Sequence, residues 1–508
     1  MAPSLKYFLQ RKRLQEDPLL YSLVEPVTCS MSLGRRLLEY SIGGGVATVV
    51  LAVKGGAPYY CVEEHYPGDT TCRKAVLDAG IELASRALAD GRSPAELQSA
   101  AFVLTECGGA DMSDIVLYTA EKIAKGYGPL YPLAIDPEVE EIALDGPEYV
   151  AKIVHRRIGP IWALTNVVLG AESADAMIQF LAKRGGRELS LARPYTEALL
   201  PEGHRLAATL HREVTRHGSS LVIRKHRGRP IRLVSLVKNG VLSPLLAAYL
   251  WTLVEYRKPI LIAGPTASGK TTLLQALLDL VPSWSRIVTV EDTPELNLSS
   301  HPNWDSLVTR PVYGLEEGED ITLYKLVRFA LRRRPDYLVV GEIRGEEARV
   351  FAYAASSGHA ALTTMHAETA EIAVRRLRHP PFSVDDQLIA SIKSIVVVKR
   401  FGLLGGARRV TEAAEPLYDD ASGKVRVSRI FAWLPGNGIF LPDSVDMVVE
   451  QSSVLEEIML EEGLSRSQLS KELMHKARIV ASESEASFPH AVARYYATKY
   501  LDSLGGGA

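Results

Sequence analysis

The segment KPILIAGPTASGKTTLLQALLDL, residues 258–280, decides the fold. An apolar, strand-like run precedes the string GPTASGKT at 264–271, and a leucine-rich helical run follows it. The string fits the pattern G-x-x-x-x-G-K-[ST], and its two flanks are the ones that a phosphate-binding loop requires. We therefore interpret residues 264–271 as a P-loop between a strand and a helix.

The P-loop residues have distinct predicted tasks. Backbone N–H groups of the glycine-rich turn and of the helix start can bind phosphate oxygens. Lys270 can reach the β- and γ-phosphates, and the Thr271 hydroxyl can bind Mg2+. The sequence thus predicts a site for ATP and Mg2+ whose nucleotide-binding residues are Gly264, Pro265, Thr266, Ala267, Ser268, Gly269, Lys270, Thr271 and Thr272.

Two further apolar runs end in carboxylates. YLVVG is followed by Glu342, which stands where a general base for water belongs, although the aspartate that normally precedes this base is absent. IVTV is followed by Glu291 and Asp292, with Glu295 nearby. We predict that Glu291 and Asp292 complete the Mg2+ shell; the alternative is an ordinary solvated strand end. Alternation of such runs with helical stretches after residue 236 is typical of a parallel sheet.

Two histidines, His359 and His366, flank the apolar run AALTTM. Seven residues rise about 10 Å along a helix, and on a strand an odd separation sends the two side chains to opposite faces. Zinc needs both ring nitrogens about 2 Å from one ion. The spacing therefore disfavours a shared zinc site, and polar residues at the ends of a buried strand are the simpler interpretation.

The composition is that of an ordinary soluble protein. With 508 residues, 47% hydrophobic and 23% charged, the chain predicts two to four domains. The net charge of -2 gives no global case for nucleic acid, and the arginine-rich segments 224–232 and 332–335 are interpreted as solvated surface. The charged start lacks the apolar core of a signal peptide. Residues 241–257 are too short and interrupted to span a membrane, so a soluble helix is expected there.

All four cysteines lie in the first quarter of the chain and lack the C-x-x-C spacing of structural zinc sites. Buried thiols are expected. Scarce Asn and Gln with abundant Glu and Arg are typical of proteins from hot environments, in which an intracellular disulfide is the alternative. No pairing is predicted among Cys29, Cys61, Cys72 and Cys107.

Shifts in pattern along the chain predict three parts. Residues 1–115 form an N-terminal accessory α/β region, residues 116–235 an α+β domain, and residues 236–508 the nucleotide-binding domain with a helical C-terminal extension. The basic, proline-containing segment 225–240 is predicted to be a linker.

Four motifs occur in a fixed order. GPTASGKT, TVEDTPE, LRRRPDYLVVGEIRGEEA and SGHAALTTMH match the Walker A, Asp-box, Walker B and His-box motifs of the secretion ATPases. Over about residues 125–415 the chain resembles the motors of type II secretion, type IV pili and archaella, most of all the archaeal pilus and archaellum branch. It departs from the family in SSGHAALTTMH, where Thr more often precedes the glycine and Ser the second Thr. The resemblance implies an α/β fold with a RecA-like P-loop NTPase C-terminal domain, a preceding α+β, PAS-like domain and an N-terminal accessory region.

The resemblance also implies roles for residues outside the P-loop. His366 would lie near the γ-phosphate and His359 nearer the start of the same strand, with a structural polar residue as the alternative for each. Arg205 and Arg332 would neutralise charge in the transition state, with Arg310 a weaker candidate; a surface charge is the alternative for all three. The implied catalytic set is Glu342, Lys270, Arg332, Arg205 and His366.

The implied function is that of a homohexameric, Mg2+-dependent ATPase. Such a motor would act from the cytoplasm at the inner face of the cell membrane, on a polytopic membrane platform protein. It would power a type IV pilus-like filament, an archaellum or a secretion pseudopilus, and no nucleic acid is expected. One alternative is a RecA-like nucleic-acid translocase, which DNA or RNA would stimulate. The other is a nucleotide-gated scaffold without turnover, against which Glu342 and the complete P-loop argue.

Overall fold

A computed structural model describes residues 22–29, 34–98, 102–226, 230–310, 320–402 and 406–501. The described chain forms two compact units, here called the first unit (residues 22–226) and the second unit (residues 230–501). Each contains strands and helices, so the predicted mixed α/β class is confirmed.

The main sheet of the first unit has nine strands among the described residues, in the order β1-β2-β3-β8-β7-β6-β11-β10-β9. Neighbours pair antiparallel except β3 and β8, which are parallel, and β4 pairs only with β5. The strands are β1 (Arg35–Ile42), β2 (Ala47–Lys54), β3 (Ala57–Glu64), β4 (Val103–Leu104), β5 (Ala110–Asp111), β6 (Val139–Leu144), β7 (Val150–His155), β8 (Trp162–Val168), β9 (Tyr195–Leu199), β10 (Arg205–Thr209) and β11 (Ser220–Arg224).

One hydrophobic core holds the first unit together, with members from Leu23 to Ile223. The predicted boundary between residues 115 and 116 falls within helix α3, so both predicted N-terminal segments pack around this core. In the same unit, Lys122 and Glu64 form an ion pair of 2.9 Å in which neither side chain is exposed. The helices are α1 (Thr70–Asp90), α2 (Pro94–Leu97), α3 (Ser113–Ala124), α4 (Tyr131–Ile135) and α5 (Ala171–Arg184).

The four cysteines of the first unit form two disulfides. Cys29 pairs with Cys61 on β3, and Cys72 of α1 pairs with Cys107, with Cα–Cα distances of 5.7 and 4.8 Å. The expectation of buried free thiols is therefore wrong. The fold brings together cysteines 32 and 35 residues apart, at distances that a disulfide spans, and sequence spacing alone does not reveal such pairs.

The second unit is built on a second nine-stranded sheet, in the order β14-β13-β15-β16-β12-β17-β18-β19-β20 among the described residues. The six strands from β14 to β17 are parallel, and β17 to β20 continue the sheet antiparallel. The strands are β12 (Ile260–Ala263), β13 (Ile287–Glu291), β14 (Trp304–Val308), β15 (Tyr337–Val340), β16 (Ala360–Met365), β17 (Ser394–Arg400), β18 (Arg408–Asp419), β19 (Lys424–Leu434) and β20 (Ile439–Leu441).

Helices cover both faces of this sheet, because the parallel strands are buried on both sides. Helices α6 (Leu233–Lys238), α7 (Pro244–Glu255) and α8 (Lys270–Leu278) pack on one face together with α13 (Val445–Gln451), α14 (Ser453–Glu462), α15 (Arg466–Ser482) and α16 (Phe488–Tyr496). The other face carries α9 (Leu323–Ala330), α10 (Glu347–Ser356), α11 (Ala370–Arg378) and α12 (Asp386–Ala390). A parallel sheet in which β16 separates the P-loop strand β12 from β15 agrees with the predicted RecA-like class.

Helix α7 is buried along almost its whole length, from Leu245 to Glu255. It begins with Ser243 as N-cap and Pro244 in the first turn, and α15 and α16 cover it: the Trp251 indole donates to the Tyr496 hydroxyl at 3.1 Å. In the part of the chain that the structure describes, no helix is both long and apolar enough to cross a membrane.

The linker predicted at 225–240 is partly wrong. Residues 227–229 lie outside the described residues, but residues 233–238 form α6 and contribute Leu233, Val234 and Leu236 to the core of the second unit. The basic composition of the segment obscured this helix, because its three buried residues are flanked by arginines and lysines.

Candidate nucleotide-binding site

Predicted site residues follow three neighbouring strands of the second sheet and lie at one edge of it. The P-loop follows β12, His366 follows β16, and Gly341 and Glu342 follow β15. Because β12, β16 and β15 are adjacent and parallel, their carboxyl ends meet at the same edge. The Thr364 hydroxyl donates to the Gly341 carbonyl at 2.8 Å, which joins β16 to the residue that precedes Glu342.

The P-loop has the backbone that its glycines permit. A Cβ on Gly264 would lie 2.3 Å from the Val398 carbonyl oxygen on β17, so only glycine fits there. Gly269 has a φ of +104° and turns the chain into α8. Ala267 also has a positive φ, +59°, which is rare for a residue with a Cβ. The first N–H groups of α8 follow this turn, and a helix N-terminus is a site where phosphate oxygens bind.

Lys270 is the first residue of α8, and its ammonium folds back over the loop. Nζ donates to the carbonyl oxygens of Gly264 at 3.1 Å and Pro265 at 2.9 Å, and it lies 3.3 Å from His366 Nδ1. Burial lowers the pKa of Lys270, and the carboxylate of Glu342 opposes that shift. A lysine partly deprived of water in this way gains from a bound anion.

Glu342 is held between a histidine and an arginine. Its Oε1 lies 2.9 Å from His366 Nε2, and its Oε2 accepts from the Arg344 guanidinium at 2.8 Å. The bond to Glu342 raises the pKa of Arg344. His366 thus contacts the P-loop lysine with one ring nitrogen and faces the proposed base with the other.

Two carboxylates from β13 lie at the same edge. Glu291 is buried, and its Oε1 accepts the backbone N–H groups of Glu295 at 2.9 Å and Leu296 at 3.1 Å. Asp292 is about half exposed and lies 3.9 Å from Arg344, and burial of the carboxyl raises its pKa. Carboxylate and hydroxyl oxygens are ligands that Mg2+ prefers, so the chemistry of Glu291, Asp292 and Thr271 fits this metal.

Other predicted residues lie elsewhere. His359 immediately precedes β16, about 20 Å from His366 along an extended strand, so the two cannot bind one ion. Arg332 is exposed in the turn before β15, at the edge opposite Glu342. Arg310 is exposed after the outermost strand, β14, where its backbone pairs with Ile321. Arg205 begins β10 in the first unit.

Arg344 was not among the predicted site residues, although it contacts Glu342 and approaches Asp292. A signal was present: Arg344 stands two residues after the proposed base within GEIRGEE. Glu347 was also missed. Its Oε1 accepts the N–H groups of Arg344 at 2.5 Å and Gly345 at 2.7 Å, which fixes the turn that carries Arg344.

A P-loop, a strand-end glutamate and a histidine on the strand between them define a P-loop nucleotide-binding protein. Residues 176–411 match the family model described as type II/IV secretion system protein. The chain is 30% identical over 325 residues to the type IV secretion system protein VirB11 of Brucella suis, covering 57% of this chain and 88% of that protein. The chain belongs to this family, and its predicted membership of the secretion ATPase superfamily is confirmed.

Archaeal relatives are also similar. An uncharacterised protein of Methanocaldococcus jannaschii is 38% identical over 329 residues, covering 63% of this chain, and the chain spans only 58% of that relative's length. A crystal structure of the Brucella suis VirB11 ATPase with sulphate has a TM-score of 0.29 at 27% identity, covering 59% of this chain and 98% of that one. The pilus retraction motor PilT with bound ADP has a TM-score of 0.39 at 17% identity, covering 70% and 97%. Both scores are low, so the family assignment rests on the sequence matches.

Proposed function

We propose that this chain hydrolyses ATP to ADP and phosphate with Mg2+ and works as a homohexameric motor. The observation that carries the proposal is the line of three contacting side chains, Lys270, His366 and Glu342, which joins the P-loop to a carboxylate suited to activate water. A decorative glycine turn would need neither the histidine nor the glutamate.

Phosphate binding is the task of the P-loop. The N–H groups at the start of α8 would bind phosphate oxygens, and Lys270 would exchange its bonds to the Gly264 and Pro265 carbonyls for the β- and γ-phosphates. That exchange is favourable because a buried ammonium then faces negative charge.

Hydrolysis would follow by attack of water on the γ-phosphorus. Glu342 orients the water and accepts its proton, the bond from the γ-phosphorus to the bridging oxygen breaks, and ADP leaves. Thr271, Glu291 and Asp292 would hold Mg2+, which neutralises charge on the phosphate oxygens when bound.

His366 would link occupancy of the γ-phosphate position to the base. A neutral imidazole accepts at one nitrogen and donates at the other. With Lys270 on one side and Glu342 on the other, the ring is placed to respond when Lys270 turns to a γ-phosphate. His359, at the far end of β16, has no part in this step within one chain.

Arginine from a neighbouring copy would complete the site. Arg332 lies at the edge opposite Glu342, so a role at the nucleotide requires a second chain. By family resemblance Arg205 and Arg332 are the best candidates, and Arg310 is a weaker one. The motor would act at the cytoplasmic face of the membrane on a polytopic platform protein, and it would power a pilus-like filament, an archaellum or a secretion pseudopilus.

Phosphate release tests the proposal. Purified protein should release phosphate from ATP only with Mg2+, and Lys270→Ala should bind a fluorescent ATP analogue at least about tenfold more weakly. Wild-type affinity in Lys270→Ala would refute the assignment of the site. ATP binding without turnover would instead favour a scaffold, and stimulation by DNA or RNA a translocase.

A further inference from the structure

Glu412 on β18 is a buried carboxylate whose two oxygens have different partners. It is 6% exposed. Oε1 accepts the backbone N–H of Ala370 at 2.9 Å, and Oε2 accepts from Arg429 Nε at 3.0 Å. The Arg429 guanidinium also lies 3.8 Å from Glu371. Glu412 is therefore fixed from both sides.

Ala370 is the first residue of α11, and its N–H is one of the donors that a helix cannot satisfy internally. Ala370 is fully buried, so water cannot take the place of Glu412. The Thr369 hydroxyl accepts the N–H of Ile372 at 3.1 Å and satisfies a second donor. The start of α11 therefore depends on a carboxylate that is distant in sequence, and a negative charge at a helix N-terminus is favourable.

Helix α11 in turn holds His366. Only residues 367–369 separate His366 from the helix, and the Arg376 guanidinium on α11 donates to the His366 carbonyl oxygen. The loop that presents the imidazole is thus anchored at one end by β16 and at the other by α11. A shift of α11 would move the ring relative to Lys270 and Glu342.

We propose that Glu412 is a positioning residue for His366: by capping α11 it sets where the imidazole stands between Lys270 and Glu342. The inference rests on the proposed ATPase function and adds to it a residue 46 positions beyond the histidine. Glu412 itself touches neither the P-loop nor Glu342 among its contacts on the described chain.

The same strand offers a matched control, Glu415. It is fully buried and also serves a helix start, since Oε2 accepts the Val454 N–H at 3.3 Å in α14. Its Oε1 accepts from the Tyr249 hydroxyl at 2.9 Å and the Ser452 hydroxyl at 2.5 Å. Glu415 therefore has the chemistry of Glu412 but contacts α7 and the start of α14 rather than the His366 loop.

The experiment compares Glu412→Leu, Glu412→Gln and Glu415→Leu in the full-length protein. We measure kcat and KM for ATP, and affinities for ADP and for a β,γ-imido analogue of ATP. Glu412→Leu should lower kcat about tenfold or more, because small displacements of catalytic groups are costly. It should also weaken analogue binding relative to ADP several-fold, with ADP affinity unchanged. Glu412→Gln, which keeps an acceptor for Ala370, should recover part of both, and Glu415→Leu should change neither.

The double variant Glu412→Leu, His366→Ala supplies a second measurement. If Glu412 acts through His366, the double variant should bind the analogue relative to ADP as His366→Ala alone does. Additive losses, or a wild-type affinity ratio in every folded Glu412 variant, would overturn the inference. Failure of the wild type and Glu415→Leu to hydrolyse ATP would instead contradict the proposed function itself.

Discussion

Lys270 and Glu342 follow different strands of the second sheet. His366 lies between them and contacts both side chains. The geometry divides their tasks. Lys270 is buried, and burial lowers its pKa, so bound phosphate would compensate its charge. The carboxylate of Glu342 lies between His366 and Arg344, which hold it in place. Substitutions of Lys270 and Glu342 should therefore have different effects: the first on ATP binding, the second on hydrolysis.

Glu342→Gln should bind ATP with Mg2+ but hydrolyse it at least about a hundredfold more slowly, because the amide cannot accept a proton from water. The substitution preserves volume, so the carboxylate itself is tested. Single-turnover phosphate release, with analogue affinity as the control, measures both properties. Near-normal turnover would transfer the role of base to Glu291 or Asp292.

At the scale of elements, several strands of the second sheet could be predicted from the sequence because they are short, continuous apolar runs: β12, β13, β15 and β16 all coincide with such runs. Strand β18 was not predicted. It contains Pro416 and the buried carboxylates Glu412 and Glu415, residues that argue against a central strand. Their partners include Ala370 on α11 and Val454 on α14, which only the fold brings to them, and the disulfide pairs were hidden for the same reason.

The carboxyl group of Asp279, at the end of α8, should make the stability of the protein depend on pH. Asp279 caps this helix, and its burial raises the pKa to about 6 although Arg232 lies 3.2 Å away. The folded state therefore binds a proton that the unfolded state has lost between about pH 4 and 6, and this contribution makes the protein less stable as pH rises through that window. At neutral pH it amounts to at most about 3 kcal/mol.

Asp279→Asn should remove that pH dependence. The difference in melting temperature between Asp279→Asn and wild type should change steadily from pH 4 to pH 6.5, whereas Asp420→Asn, at an exposed turn, should track wild type throughout. A constant difference for Asp279→Asn would show that Asp279 does not titrate in this window.

The two disulfides are confined to the first unit and should stabilise it alone. They close loops of 32 and 35 residues, for which chain entropy predicts about 3–4 kcal/mol each. In scanning calorimetry, a reductant should lower the unfolding transition of the first unit and leave that of the second unchanged. A Cys72→Ser, Cys107→Ser variant should reproduce part of the shift without reductant. Equal shifts of both transitions would contradict this assignment.

At the scale of the whole molecule, we propose that the motor is an assembly. The second unit carries the P-loop and the proposed base and metal ligands, whereas Arg205 belongs to the first unit. If Arg205 serves a neighbour's nucleotide, one chain cannot complete a site, and specific activity should climb steeply with protein concentration as rings form by mass action.

Mixing two inactive variants tests shared sites directly. Arg205→Ala subunits retain the P-loop, and Lys270→Ala subunits retain the arginine. In an equal mixture about a quarter of the interfaces pair an intact arginine with an intact P-loop, so about a quarter of wild-type activity should return. Concentration-independent activity with no recovery on mixing would show that each chain works alone.

Helix α7 has a consequence for synthesis of the chain. Its apolar surface is covered by residues of α15 and α16 that follow it by roughly 240 positions, and ribosomes add about 5–20 residues per second. For roughly 10–50 s, therefore, a growing chain exposes the hydrophobic surface of this helix, to which chaperones or other nascent chains can bind. Truncation before Arg466 would make that exposure permanent, and such a fragment should accumulate as insoluble protein even though its entire P-loop site is present.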